Sequence, residues 1–402
     1  MELFEELKWR GLVKDVGGEG LDQKLEREKL TFYWGTDPTA DSLHLGHYSS
    51  LVTAKRLQRA GHNPILLCGG ATGLIGDPRP TAEREIMSRQ RLEANLAGIR
   101  SQVDRIFGGK AQIVNNYDWM KDYTFLDFLR DIGKYINVNY MLSKEIISRR
   151  LETGITFAEF SYTLLQGYDF LWLYRNKGCV LQVEGADQWG NITTGLELIR
   201  KIEGKEAWGF TMPLVLDKQG NKFGKTAGNA LWLDLNKTSS YELYQYLVNV
   251  DDSMVIDYLK IFTFLSVEQI EDLDRRNKLQ PEKREAHKAL AWQIIADLHG
   301  EEEAQKAQAA SESLFSGGGE GIPAGAPTLH INAGESLIDV LVGQSICSSK
   351  REARELLAAG AITIGGQRVA DEHMKLTKEL ASDNGSLVLR RGKKRVYVLT
   401  FD

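Results

Sequence analysis

Cysteine is scarce in this chain. There are three in 402 residues, Cys68, Cys179 and Cys347, too far apart for any paired zinc spacing. They read as free structural thiols. No apolar run is long enough to cross a bilayer, so no membrane span is expected. The N-terminus, MELFEELKWRG, is acidic and amphipathic and lacks the basic and apolar regions of a secretory leader. Free thiols without a leader predict a cytoplasmic protein. There is no internal repeat and no Ser/His/Asp or Cys/His arrangement to supply a nucleophile. An overall excess of positive charge is missing too. The formal net charge is -5, so bulk charge gives no reason to expect nucleic acid, though a local basic region could still meet it. What remains is an ordinary globular composition, 42% hydrophobic and 26% charged, with length for two or three domains.

Along the first 220 or so residues short apolar runs alternate with helical patterns. KLTFYWG (29–35) reads as a strand, rich in aromatic and branched residues. A helix follows from about Gly46 to Ala60, with Tyr48, Leu51, Val52 and Leu57 on one face and Gly61 as its stop. PILLCGG (64–70) reads as a second buried strand. Strand, helix, strand predicts a βαβ unit and hence an α/β, doubly wound parallel sheet, whose ligands bind at the carboxyl ends of the strands. The stretch 115–178 is mainly helical and aromatic, and CVLQVEG (179–185) returns to strand. From Thr238 to Phe315 the pattern is helical again, with Ser266 and Gln269 placed for a capping box before Ile270 and Leu273. SGGGEGIPAGAP (316–327) holds almost nothing that could pack and reads as a flexible linker.

Beyond the linker the charge changes sign. Residues 335–402 carry 11 Lys/Arg against 9 Asp/Glu, and the first 334 carry 39 against 46. SSKREARELLAAGAITIGGQRV (348–369) reads as a basic helix, a glycine stop and a hairpin, and RRGKKR (390–395) is a second basic cluster. A charge run is commonly a solvated face. A glycine tether, a sign reversal and a basic helix together point instead towards nucleic acid.

Histidine is rare, seven in the chain, yet two stand three apart in DPTADSLHLGH, Asp37 to His47. A glycine between them lets a flat group approach the backbone, and a helix starting there offers free N–H groups to a phosphate. The bland alternative, histidines that only cap and pack, stays open on this motif alone. NKFGKT (221–226) sets two lysines three apart around Phe-Gly, mobile charges suited to a polyphosphate; in isolation this too is a weak pattern.

Taken together, HLGH and KFGKT resemble the two signature motifs of the class I aminoacyl-tRNA synthetases. GGATGLIGDP (69–78), FSYTLLQGYDFLWLY (160–174) and LQVEGADQWGNITTGLELIRK (181–201) resemble the bacterial tyrosyl branch, and the tail resembles an S4-type RNA-binding module. The resemblance implies a Rossmann-like catalytic domain over 1–225 with a helical insertion at about 115–178. It implies an all-helical domain over 226–315, the linker 316–327, and a small α+β RNA-binding domain over 328–402. It further implies ATP-dependent attachment of tyrosine to tRNA(Tyr) through a tyrosyl-adenylate, magnesium bound with ATP, no structural metal, and a homodimer with Phe157 at its interface. Thr39, His44, His47, Lys222, Lys225 and Thr226 would serve the phosphates. Tyr33 and Asp169 would pair the phenol, Asp77, Tyr162 and Gln166 the ammonium group, and Gln188 the carboxylate. Gly35, Asp37, Gly46, Arg84, Asp187 and Lys225 would line the ATP site. Lys350, Arg351, Arg354, Arg390 and Arg391 would meet tRNA. Trp34, Thr36 and a loop after Asp77 without lysine depart from the family pattern. Two other readings fit parts of the chain: a small-molecule adenylyltransferase, and a synthetase-derived RNA-binding protein without activation chemistry.

Overall fold

A computed structural model describes all residues except 79–86, 227–228, 317–325, 327, 345, 348, 383–384 and 393–394; of Lys225, Thr226, Asn229, 313–316 and Arg395 it describes the backbone alone. Arg84 and nearly all of the glycine-rich linker lie outside the described residues. The chain divides into two compact units, Met1–Phe223 with Asp257–Leu265, and Gly224–Ile256 with Ser266–Asp402.

The first unit is built on a six-stranded sheet. Its strands are β1 (Val16–Gly17), β2 (Thr31–Thr36), β3 (Asn63–Cys68), β4 (Gln112–Asn115), β5 (Cys179–Gly185) and β6 (Trp208–Met212), in the spatial order β1-β6-β5-β2-β3-β4. All neighbours are parallel except β1, which runs antiparallel to β6. β3, β5 and β6 are buried almost throughout, as parallel strands covered on both faces must be. The helix expected after the first strand spans Leu45–Arg59 and buries Tyr48, Leu51, Val52 and Leu57. Gly61 follows with φ 95°, a conformation costly for any residue with a Cβ.

The long helix Phe157–Lys177 packs against Trp189–Glu203. A Cβ at Gly167 would lie 2.8 Å from Thr194 Cγ2, and one at Gly195 2.9 Å from Phe170, so these two glycines permit the close approach. From β2 the chain builds outward through β3 to β4, then returns to β5 on the other side of β2 and continues to β6. The β2/β5 boundary is therefore the topological switch point, where ligands settle on such sheets. Asp257–Leu265 belongs to this unit because Tyr258 and Phe262 pack on Phe223, at ring distances of 4.4 and 4.9 Å, and the Tyr258 hydroxyl donates to the Leu216 carbonyl.

In the second unit the helices Ser240–Val248, Glu285–His299 and Glu301–Ser316 pack on one another. The Ser266/Gln269 capping box forms as expected, with Ile270 and Leu273 buried beneath it. Its C-terminal part is a five-stranded sheet carrying the helices Leu337–Gly343 and Lys350–Ala358. Ile331, Leu337, Leu341, Ile362, Leu387 and Leu399 form a separate core within that part.

Candidate active site

Tyr33, Gly35, Asp37 and Asp187 lie on or just beyond β2 and β5, and Tyr162 and Asp169 of the helix Phe157–Lys177 come up to Asp37 and Tyr33. Tyr33 is buried on β2, level with Gln182 of β5. Its hydroxyl has no hydrogen-bond partner among the described residues. Burial, then Asp169 and Glu184, hold the phenol pKa well above its ordinary value, so Tyr33 stays a neutral donor. Asp169 is buried on the helix Phe157–Lys177 and accepts from Asn116 Nδ2 at 3.0 Å and Trp119 Nε1 at 2.9 Å. Burial pushes its pKa up to about 8, against the pull of those two donors.

From Asn116 the network runs on. Its amide also donates to Thr72 Oγ1 at 2.9 Å, Thr72 donates to Asp37 Oδ1 at 2.8 Å, and the Tyr162 hydroxyl donates to Asp37 Oδ2 at 2.9 Å. A second group surrounds Asp77. Gln188 Nε2 donates to it at 3.0 Å, and Asn191 Nδ2 donates to Gln188 Oε1 at 2.9 Å and to Gln166 Oε1 at 2.8 Å. Tyr162, Gln166 and Asp169 thus share one helix, as their spacing predicts. Tyr162 is tied to Asp37, which the sequence places with the nucleotide.

The two histidines begin the helix Leu45–Arg59. His44 Nδ1 accepts from Gly46 N at 3.1 Å, His47 Nδ1 accepts from His44 N at 3.3 Å, and the rings stack 3.8 Å apart. Capping and ligand binding are therefore not rivals here. A neutral ring that accepts at Nδ1 carries its proton on Nε2, the edge that can donate to a phosphate. Gly46 answers first to His44, because a Cβ there would lie 2.9 Å from that ring. Thr39 sits exposed in the turn after β2, and Asp187 exposed at the end of β5. Lys222 is exposed beside the buried anchor Phe223, whereas the side chains of Lys225 and Thr226 are outside the described residues. Trp34 is buried on the face of β2 opposite Tyr33 and Gly35.

Phe157 is exposed at the start of the helix that carries Tyr162, Gln166 and Asp169. In the second unit Lys350 pairs with Asp339, Arg351 with Glu355 and Arg354 with Glu372, all exposed. Arg390 lies half-buried on the strand Ser386–Arg391. Arg391 is also half-buried and is tied to Glu352 and the Ile346 carbonyl, which makes it a brace inside the tail.

Six polar residues of the site escape the sequence reading: Thr72, Asn116, Trp119, Gln182, Glu184 and Asn191. CVLQVEG carries a signal for two of them, since Gln182 and Glu184 stand two apart on an otherwise apolar strand and so share a face. Gln182 is fully buried and neither amide atom has a partner among the described residues. Buried polar atoms left unpaired are costly. Those of Tyr33 and Gln182, level on adjacent strands, fit a ligand that brings its own polar groups.

The family model for tRNA synthetases class I (W and Y) matches residues 25–316, and that for the tyrosine--tRNA ligase SYY-like C-terminal domain matches 320–399. The chain is 48% identical to the tyrosine--tRNA ligase of Geobacillus stearothermophilus over the whole of both chains. It is 46% identical to tyrosine--tRNA ligase 1 of Bacillus subtilis over 99% of each. A C-terminally truncated mitochondrial tyrosyl-tRNA synthetase of Aspergillus nidulans superposes with a TM-score of 0.71 at 32% identity, over 78% of this chain and 94% of that one. Parallel sheet, switch-point pocket and full-length likeness agree: the chain belongs to the class I tRNA synthetases of the W and Y group, among the tyrosine--tRNA ligases, the family that charges tRNA(Tyr) with tyrosine.

Proposed function

We propose that this chain activates tyrosine and transfers it to tRNA(Tyr) by positioning and charge stabilisation, without a nucleophilic side chain. In the first step the tyrosine carboxylate attacks the α-phosphate of ATP. A carboxyl–phosphate bond forms as the α–β bridge bond breaks and pyrophosphate leaves. In the second, the 2′-hydroxyl of the terminal tRNA adenosine attacks the acyl carbon and AMP leaves. The observation that carries this reading is the unpartnered Tyr33 hydroxyl beside buried Asp169, with Asp37 and Asp77 fixed nearby. Tyr33 and Asp169 would pair the phenol. Asp77, Asp37, Tyr162 and Gln166 would surround the ammonium, with Gln188 towards the carboxylate and Asp187 towards the ribose. His44, His47 and Thr39 would face the phosphates at the helix start beside Gly35 and Gly46, with Lys222, Lys225, Thr226 and Arg84 as further phosphate ligands. Magnesium would arrive with ATP and screen phosphate charge, with few protein ligands.

Tyrosine-dependent exchange of pyrophosphate into ATP tests the reading, and absence of exchange by folded protein with magnesium would sink it. Phenylalanine is the sharper probe. It leaves Tyr33 and Asp169 desolvated without a partner, at about 1–3 kcal/mol each, so its kcat/KM should be roughly 10²-fold lower or less still. Comparable rates for the two amino acids would refute the pocket.

The reading includes a homodimer. Phe125, Leu126, Leu129, Val138, Leu151 and Phe157 are all exposed within the helical insertion, an apolar concentration of the kind that marks an interface. Light scattering should give twice the 45.1 kDa chain mass, and Phe157→Asp should shift it towards a single chain. A monomeric wild type would refute the dimer.

A further inference from the structure

Beyond Tyr33↔Gln182 the ladder between β2 and β5 stops, although β2 stays paired with β3 to Thr36↔Cys68 and β5 with β6 to Gly185↔Met212. Parallel strands that part leave backbone groups in need of other partners. Here the Gly35 N–H donates across the gap to Glu184 Oε1 at 2.6 Å, and Glu184 is only 5% exposed. The two residues therefore hold the opposite lips of the crevice at the switch point. A Cβ on Gly35 would lie 3.4 Å from that same oxygen, so the carboxyl lies on the face of β2 that carries Tyr33.

We propose that Glu184 is a positioning residue for tyrosine activation, clasping β2 to β5 through the Gly35 N–H and so fixing the crevice where amino acid and nucleotide meet. This rests on the reaction proposed above. Glu184 faces Tyr33 on β2, Asp37 beyond it, Asp77 beyond β3 and Asp187 at the end of its own strand. Burial first, then these carboxylates, push its pKa well above the carboxylate range, and among the described residues only the Gly35 N–H draws it back. A raised pKa favours the neutral form of the clasp, which adds no charge at the place where a carboxylate must attack a phosphate. Its ionisation would set another anion against two that already repel.

Three variants separate these elements. Glu184→Gln keeps an oxygen for Gly35 and stays neutral, Glu184→Ala removes the clasp, and Glu184→Asp is one methylene too short. In tyrosine-dependent exchange the Ala and Asp variants should lose about 10-fold or more in kcat/KM for tyrosine, with Gln restoring most of the loss. Wild-type kcat should fall as pH rises through the Glu184 ionisation, and Glu184→Gln should lack that limb. An Ala variant equal to wild type, or a Gln variant as impaired as Ala, overturns the proposal. If wild type shows no exchange the reaction itself is refuted, and melting temperatures still decide on the clasp. Because the Glu184 pKa is raised in the folded state, wild type should lose stability relative to Glu184→Gln with rising pH. A Glu184→Ala variant that melts with wild type would overturn the proposal.

Discussion

Asp169→Asn is expected to lower kcat/KM for tyrosine by roughly 30- to 10⁴-fold in pyrophosphate exchange. Asp169 offers oxygens to both Asn116 and Trp119. An asparagine offers one oxygen and an NH₂, so one of those donors meets another donor, and the phenol loses its strongest acceptor. Two buried groups left unmatched cost about 2–6 kcal/mol in total, which sets the range. The same substitution should alter stability in a pH-dependent way. With its pKa at about 8, folded Asp169 holds a proton that the unfolded carboxyl gives up near the ordinary value of about 4. Its contribution to stability is complete below that ordinary value and is lost as pH rises through about 8. The stability advantage of wild type over Asp169→Asn should therefore shrink across that window. Full exchange activity in the variant would show that the phenol pairs elsewhere.

Removal of residues 328–402 should leave tyrosine-dependent exchange near its full value and abolish, or cut severely, the charging of tRNA. The removed part buries its own core, drawn from Ile331 to Leu399, and the site residues described above, Tyr33 to Lys222, all precede it. Lys350, Arg351 and Arg354 stand exposed on one helix, each in an exposed ion pair. Such pairs contribute little to stability, so phosphates can displace them cheaply. Arg391 braces the tail through Glu352 and is not expected to touch RNA directly; Arg351→Glu should weaken charging more selectively than Arg391→Ala, which disturbs the tail itself. Charging by the full chain should weaken as salt rises, because bound phosphates release counterions. A truncated protein that charges tRNA as well as the full chain would make the tail a solvated appendage.

Period and punctuation account for what could be read in advance. Apolar alternation and glycine stops mark β2, the helix Leu45–Arg59, β3 and β5 to within a residue or two, because local sterics and burial of one face decide these elements. The basic helix after the linker ends at Ala358 and is followed by Gly360 and the hairpin strands Ile362–Ile364 and Gln367–Arg368, again local chemistry. The bracketed histidines and the triplet Tyr162, Gln166 and Asp169 stood out because unusual residues recur at helical spacing. Trp119, by contrast, sits in NNYDWM, where no period marks it. Thr72 lies in a glycine-rich turn in which a threonine attracts no notice.

By itself, then, the sequence determined the order of strands and helices, the helix start with its two histidines and the polar residues that share one helix, since each depends on contacts within a few residues along the chain. Only the tertiary structure decided who pairs with whom. Asp37 receives Tyr162 across 125 positions, Asn116 reaches Asp169 across 53, and Gly35 reaches Glu184 across 149. Such pairings follow from where β2 and β5 part and from how closely two glycines let the covering helices approach. Burial then raises the Asp169 and Glu184 pKa values by desolvation, a quantity set by everything around a side chain and not by its neighbours in sequence.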